Sequence, residues 1–80
     1  MPTIFRQGGF DVRVRPRDHP PPHVHILYGR EQVVINLGIG INDAHIRENR
    51  GMRSANIRRA MDIVTANNSK FLIEWRRFHS

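Results

Sequence analysis

The sequence predicts an α+β protein, in which a small antiparallel β-sheet of three to five strands packs against one bent or two C-terminal helices. Apolar side chains recur with a period of two over roughly residues 3–48, and with a period of about 3.6 over roughly residues 54–79. Strands that all precede the helices are typical of a sheet backed by a helical layer. With 80 residues the chain can enclose one hydrophobic core, so we expect a single domain over residues 1–80.

The predicted strands are short and closely spaced. Residues 10–15 alternate between apolar and polar side chains, which places one face of this strand in the core. Residues 23–28 and 32–37 continue the sheet, and residues 44–48 add a last strand. The pair Gly8–Gly9 supplies a turn, because glycine adopts positive φ at no steric cost. Strands joined by such short turns are expected to pair antiparallel.

The helical region begins at Ser54, a plausible N-cap. Polar residues Asn67–Ser69 interrupt it, and Ser69 can cap a second helix, so one bent helix and two separate helices both fit. The apolar stripes have helical spacing in both halves. They comprise Ile57, Ala60, Met61 and Val64, followed by Phe71, Leu72, Trp75 and Phe78.

Composition limits the functional classes. The chain has no cysteine, which excludes thiol catalysis and disulfides. Its longest apolar run, Val33–Ile35, is far too short to span a bilayer, so no membrane partner is expected. The chain does not begin with a basic segment followed by an apolar one, as a secretory signal does, and we therefore expect a cytoplasmic protein. A monomer or a small homo-oligomer is compatible with this size.

The charge points to an anionic partner. Thirteen Lys and Arg against seven Asp and Glu give a net charge of +6, and twelve of the thirteen are arginine, which binds phosphates and carboxylates in a bidentate manner. Nucleic acid is the commonest such partner, with RNA favoured here, and an acidic protein is the alternative. A solvated basic face without a ligand also fits the charge. The candidate anion-binding residues are Arg13, Arg15, Arg17, Arg58, Arg59, Arg76 and Arg77.

One segment, Arg17–Ile26, contains three of the five histidines and three of the five prolines. The three prolines predict a stiff, extended linker with His19 at one end and His23 at the other. The strand that follows places His23 and His25 on the same face, because side chains alternate along a strand. We therefore expect these imidazoles to lie close together at the rim of the sheet, where solvent reaches them.

Three roles for His19, His23 and His25 remain open. As metal ligands they suit a divalent ion such as zinc, with an open position for water. As a general acid–base pair they suit a metal-free ribonuclease, with Arg13, Arg15 and Arg17 stabilising the charge on phosphate. In the third role they only hydrogen-bond the backbone or one another and stiffen a loop.

These residues resemble a bacterial family catalogued as domain of unknown function 4160, whose small members share a His-x-Pro-Pro-His-x-His core. Met1–Ile4 and Gly9 look like the family's opening, residues 19–25 look like its signature, and Trp75 looks like its late tryptophan. Proline occupies the variable place after His19. Such families have been grouped with toxin–antitoxin pairs, so the resemblance implies a role in that setting but no established activity.

Together, the residues and the resemblance lead to two functional hypotheses. In the first, a toxin–antitoxin-type protein acts on or binds RNA. Here His23 and His25 serve as an acid–base pair or as metal ligands, and His19 assists. In the second, a non-enzymatic module acts through protein–protein contacts, either as an antitoxin-like partner or as an inhibitor of a nucleic-acid-processing complex.

Overall fold

An antiparallel sheet followed by one long helix forms the part of the chain that the computed structural model describes, residues 2–79. This confirms the predicted α+β class. The elements are β1 (Thr3–Gln7), β2 (Phe10–Arg13), β3 (His23–Tyr28), β4 (Glu31–Asn36), β5 (His45–Arg50) and α1 (Ser54–His79).

The strands follow one another across the sheet in chain order, so that β3 is central and β1 and β5 are at the two edges. The turn between β1 and β2 consists of Gly8 and Gly9, whose φ angles are 54° and 84°. Two consecutive positive φ values are what a two-residue hairpin turn requires, which explains the paired glycines. On both sides of β3 the pairing is antiparallel, with His25 opposite Arg13 on β2 and Val34 on β4.

The core lies between α1 and one face of the sheet. Alternate residues of the three central strands are completely buried there, among them Val12, Ile26 and Ile35. The helix contributes buried residues from both of its halves. They are Ala60, Ile63, Val64, Phe71 and Trp75, whereas Ile57, Met61, Leu72 and Phe78 of the predicted stripes are partly buried against the same core.

The helix is kinked at Asn67, whose φ of −126° and ψ of 17° are not helical and divide α1 into two helical halves. The Asn67 side chain donates to the carbonyl of Ile63 at 2.8 Å. The neighbouring Asn68 both donates to and accepts from the backbone of Gly38, each at 2.8 Å. The two halves form one bent element, α1, and Ser69 lies within its second half rather than at its start.

The start of the helix is held by a side chain from the sheet. Glu31 accepts hydrogen bonds from the backbone N–H of Arg53 at 2.8 Å and from the Asn56 amide at 3.1 Å. These bonds, the Arg53 bond first, hold the pKa of Glu31 below its usual value. The helix begins at Ser54, but the predicted N-cap role of Ser54 is wrong, because the carbonyl of Arg53 accepts the first helical hydrogen bond from Ile57 at 2.9 Å. Arg53 therefore occupies the N-cap, and the distant Glu31 supplies the acceptor for its N–H. Within residues 2–79, no helix combines the length and the apolar character needed to cross a membrane.

Candidate functional site

The segment between β2 and β3 folds back toward the side chains of His23 and His25 on β3. The N–H of Asp18 donates to the carbonyl of Arg15 at 3.1 Å, which turns the chain. The chain bends again at Pro20 and Pro21, which are joined by a cis peptide bond. The predicted straight, extended proline linker is therefore wrong. The bent segment instead brings Asp18 to the histidines of β3.

His23 and His25 share one face of β3, as predicted, with ring centroids 5.4 Å apart. They are not at an open rim, however, because only 4% and 3% of their surfaces are exposed. Asp18 lies between them, and the Nε2 atom of each imidazole donates to the same carboxylate oxygen, Oδ2, at 2.9 Å. A partly exposed carboxylate flanked by two buried imidazoles is the central feature of the site.

The remaining nitrogen of each imidazole also has a partner. His25 Nδ1 accepts from the side-chain amide of Gln32 at 3.2 Å, so that His25 is neutral with its proton on Nε2. His23 Nδ1 lies 2.8 Å from the guanidinium of Arg47 and 2.9 Å from the carbonyl oxygen of Pro21. Of these partners, Pro21 contributes a main-chain oxygen, whereas Asp18, Gln32 and Arg47 contribute side chains.

Burial and charge set the ionisation of this cluster. Burial lowers the pKa of His25 most, and the charge of Arg15 lowers it further against the opposing effect of Asp18. Burial alone would raise the pKa of Asp18, but the hydrogen bonds and charges of His25 and His23 outweigh it, so the pKa lies below its usual value. Near neutral pH the site therefore contains an ionised carboxylate beside a neutral His25.

A cavity of about 300 Å³ opens above the cluster. Its cations come from two separated parts of the chain: Arg15 follows β2, whereas Arg47 and Arg50 lie on β5. Glu48, also on β5, accepts a hydrogen bond from Arg50, which holds the pKa of Glu48 below its usual value. The complete lining is Arg15, Asp18, His19, His23, His25, Val34, Arg47, Glu48 and Arg50.

The cluster has a set of donor atoms that can bind a metal ion. Asp18, His23 and His25 each offer one ligand atom, and the three atoms lie within 4.8 Å of one another. Two imidazoles and one carboxylate that leave other positions open are typical of catalytic zinc and of non-haem iron sites. The predicted ligand set of His19, His23 and His25 differs from this one, because His19 is exposed at the cavity wall and Asp18 takes the third place.

The predicted arginines do not form one face. Of the seven candidates, all within the described residues, only Arg15 lines the cavity. Arg13 pairs with Asp11 at 3.2 Å, and Arg17 is exposed. The other four lie on α1: Arg58 and Arg76 are exposed there, Arg59 stacks over the ring of Phe10 at 4.8 Å, and Arg77 pairs with Glu74 at 3.2 Å.

The sequence did not indicate Asp18 as a candidate ligand, or Gln32, Arg47 and Arg50 as residues of the candidate site. The signal for Asp18 was its place beside His19 in the histidine–proline segment. The sequence around Arg47 and Arg50 gave no comparable indication. Their position near the histidines depends on the pairing of β5 with β4, in a register that places Glu48 opposite Val34.

A family model described as a domain of unknown function (DUF4160) matches residues 9–76 of the chain. This range includes the whole histidine–proline segment, all the residues that line the cavity, and Trp75. No curated protein and no solved structure matches the chain significantly.

Proposed function

Because this chain belongs to the DUF4160 family, whose description assigns no activity, its function has to be argued from the site, and we propose that it binds RNA and acts on the phosphodiester backbone at this cavity. The observation that carries the proposal is the convergence of Arg15, Arg47 and Arg50 on one cavity that has Asp18, His23 and His25 at its floor. The resemblance to families grouped with toxin–antitoxin pairs is compatible with such an activity.

The arginines suit the binding step. Guanidinium groups form charge-assisted hydrogen bonds to phosphate oxygens, and three of them around one cavity exceed the two carboxylates, Asp18 and Glu48. Asp18 is engaged by two imidazoles, Glu48 and Arg50 engage each other, and Arg47 is engaged by His23, so the excess of one cation over the carboxylates remains. A phosphodiester that carries one negative charge is therefore favoured there.

The hydrogen bonds favour a metal-assisted reaction over a metal-free one. In a metal-free ribonuclease, the general base needs an unoccupied nitrogen that faces the substrate. Both nitrogens of His23 and of His25 already have partners, whereas their Nε2 atoms and Asp18 Oδ2 converge as metal ligands do. A divalent ion such as zinc bound there would polarise a phosphoryl oxygen and lower the pKa of a bound water. The exposed imidazole of His19 stands at the cavity wall as a candidate proton donor.

Binding is tested with a fluorescently labelled single-stranded RNA at several salt concentrations. In the presence of Zn²⁺, three phosphate contacts predict a log–log slope of about −2 on single strands, and Arg47→Met or Arg50→Met should each reduce its magnitude by about 0.7. The matched control is Arg58→Met, which removes an exposed arginine on α1, outside the cavity. An equal effect of all three substitutions would show that RNA binding is not localised to the cavity.

Cleavage is tested with the same RNA, with added Zn²⁺ and with a chelator in its place. Products that require the metal and disappear in Asp18→Asn support metal-assisted hydrolysis. Products that persist in the chelator but are lost in His19→Ala would favour metal-free acid–base chemistry. RNA that stays intact under all conditions would refute an activity on RNA.

One feature favours the non-enzymatic alternative. All six residues of the edge strand β5 are exposed, and Ile39, Ile41 and Ile46 beside or within it are exposed by 42%, 100% and 44%. An exposed strand edge flanked by apolar side chains can pair with a strand from another protein. If this is the function, Ile41→Lys should abolish capture of the co-purifying partner while leaving RNA affinity unchanged.

A further inference from the structure

The Nδ1 atom of His23 has two partners that one protonation state cannot satisfy. Arg47 has only N–H donors, so its 2.8 Å contact requires an unprotonated Nδ1. The Pro21 carbonyl only accepts, so its 2.9 Å contact requires a protonated Nδ1. With the His23 proton on Nε2, which donates to Asp18, the Arg47 bond forms and the Pro21 carbonyl is left without this proton.

A metal ion bound at the cluster would move the His23 proton from Nε2 to Nδ1. Ligand atoms held about 2.1 Å from one tetrahedral ion lie about 3.4 Å apart. The two Nε2 atoms already lie 2.9 Å from Asp18 Oδ2, so a small outward movement makes room for an ion. Coordination through Nε2 requires the proton of each neutral imidazole on Nδ1, where it needs an acceptor.

Both acceptors are present. The Pro21 carbonyl is 2.9 Å from His23 Nδ1. The Gln32 amide is 3.2 Å from His25 Nδ1, and rotation of this amide by half a turn presents its oxygen in place of its nitrogen. The imidazoles thus have an outer shell for the metal-bound state as well as for the metal-free state. Arg47 is the one partner that the metal-bound state cannot keep.

We propose that Asp18, His23 and His25 bind one divalent transition-metal ion, and that binding moves the His23 proton to Nδ1 and releases Arg47 to bind a phosphate in the cavity. The metal site stands on its own, whereas the phosphate part rests on the proposed function. Metal and phosphodiester then bind cooperatively, because the metal frees a cation that the imidazole otherwise holds. Nitrogen ligands select zinc, cobalt or iron over magnesium, which prefers oxygen ligands.

The metal site is tested by titrating the metal-free protein with Zn²⁺ by calorimetry and with Co²⁺ by fluorescence. Trp75 is the one tryptophan of the chain and its ring centroid is 5.0 Å from that of His23, so bound Co²⁺ should quench it. We expect one ion per chain, at least tenfold weaker binding in Asp18→Asn, and affinity within about twofold of wild type in the control His19→Ala. Should Asp18→Asn fail to fold, Gln32→Leu removes an outer-shell acceptor, with about tenfold weaker binding expected.

The release of Arg47 is tested by two measurements. Nitrogen NMR of the imidazoles should show His23 and His25 protonated on Nε2 without metal and on Nδ1 with saturating Zn²⁺. Dimethyl phosphate, an unreactive diester, should bind at least about fivefold more tightly to the Zn²⁺-loaded protein. Arg47→Met should raise Zn²⁺ affinity and reduce this coupling. Arg50→Met is the control, because it removes the same charge from the same cavity without freeing His23.

Each outcome tests a different part of the proposal. Absence of Zn²⁺ and Co²⁺ binding, or wild-type metal affinity in folded Asp18→Asn and in Gln32→Leu, overturns the metal site. Unchanged imidazole protonation, or equal effects of Arg47→Met and Arg50→Met on Zn²⁺ affinity, overturns the release of Arg47. Cooperative binding of Zn²⁺ and dimethyl phosphate in a protein that neither binds nor cleaves RNA supports the inference and refutes the proposed function instead.

Discussion

Replacing Asn68 by alanine should destabilise the protein through a single pair of hydrogen bonds. The Asn68 side chain accepts from the N–H of Gly38 and donates to its carbonyl oxygen, both at 2.8 Å and across 30 positions of the sequence. It therefore ties the second half of α1 to the loop that leads from β4 into β5. In Asn68→Ala both bonds are lost, and both backbone groups of Gly38 must find water.

The expected loss of stability in Asn68→Ala follows from these two hydrogen bonds. Each contributes about 0.5–1.5 kcal/mol net, so the pair contributes about 2 kcal/mol. Alanine recovers about 0.5 kcal/mol through its higher helix propensity, which leaves a loss of about 1.5 kcal/mol. For a domain of this size, 1 kcal/mol corresponds to about 4–8 °C in Tm, so we expect Tm to fall by about 6–12 °C.

Thermal and urea unfolding followed by circular dichroism measure this loss. The matched control is Ser69→Ala, at the adjacent exposed position, which gains helix propensity without losing these bonds. In Asn68→Asp an oxygen replaces the amide donor and faces the Gly38 carbonyl, so this variant should be at least as unstable as Asn68→Ala near neutral pH. A Tm for Asn68→Ala equal to that of Ser69→Ala would refute the stabilising role of the bond pair.

Three further predictions concern stability. Glu31→Gln should lower Tm at neutral pH, because the carboxylate holds the N–H of Arg53. Because the pKa of Glu31 is lowered on folding, the difference in Tm between Glu31→Gln and wild type should shrink as the pH falls from 4.5 through the lowered pKa. A Tm difference that does not change with pH would contradict this reasoning. Ile26→Ala, at a completely buried position of β3, should cost about 2–5 kcal/mol in urea unfolding, and a cost below about 1 kcal/mol would show that the core collapses around the deletion. Gly38→Ala should also destabilise, by about 1–3 kcal/mol, because the new Cβ would lie 2.9 Å from the carbonyl oxygen of Asn42, and wild-type stability would mean that the loop moves aside freely.

The fold was predictable because it depends on local patterns. Alternation in Phe10–Arg15, the paired glycines at 8 and 9, and the change to helical spacing after Ser54 each determine one element from its own residues. The kink at Asn67 fell within the predicted interruption, but the anchoring of that region by Asn68 to Gly38, 30 positions away, was not predictable. A local pattern cannot contain that contact.

The site was predictable only in part, for the same reason. The period of two placed His23 and His25 on one face of a strand, which the structure shows. Composition suggested His19 as their partner, but the bends of the proline segment bring Asp18 there instead. Counting arginines identified a cationic protein but not the cavity. Arg47 and Arg50 come from β5, whose position depends on the pairing of the whole sheet.

The floor and one wall of the cavity lie on strands that occupy different positions in the sheet. Its floor belongs to the central strand β3, whereas Arg47 and Arg50 belong to β5, an edge strand whose partner among the described residues is β4 and whose side chains are all exposed. Such an edge can fray while the central strands stay paired. Amide hydrogens of β5 should therefore exchange with solvent faster than those of β3. If RNA binds in the cavity as proposed, transient fraying of β5 would widen the entrance while the histidines of β3 stay in place.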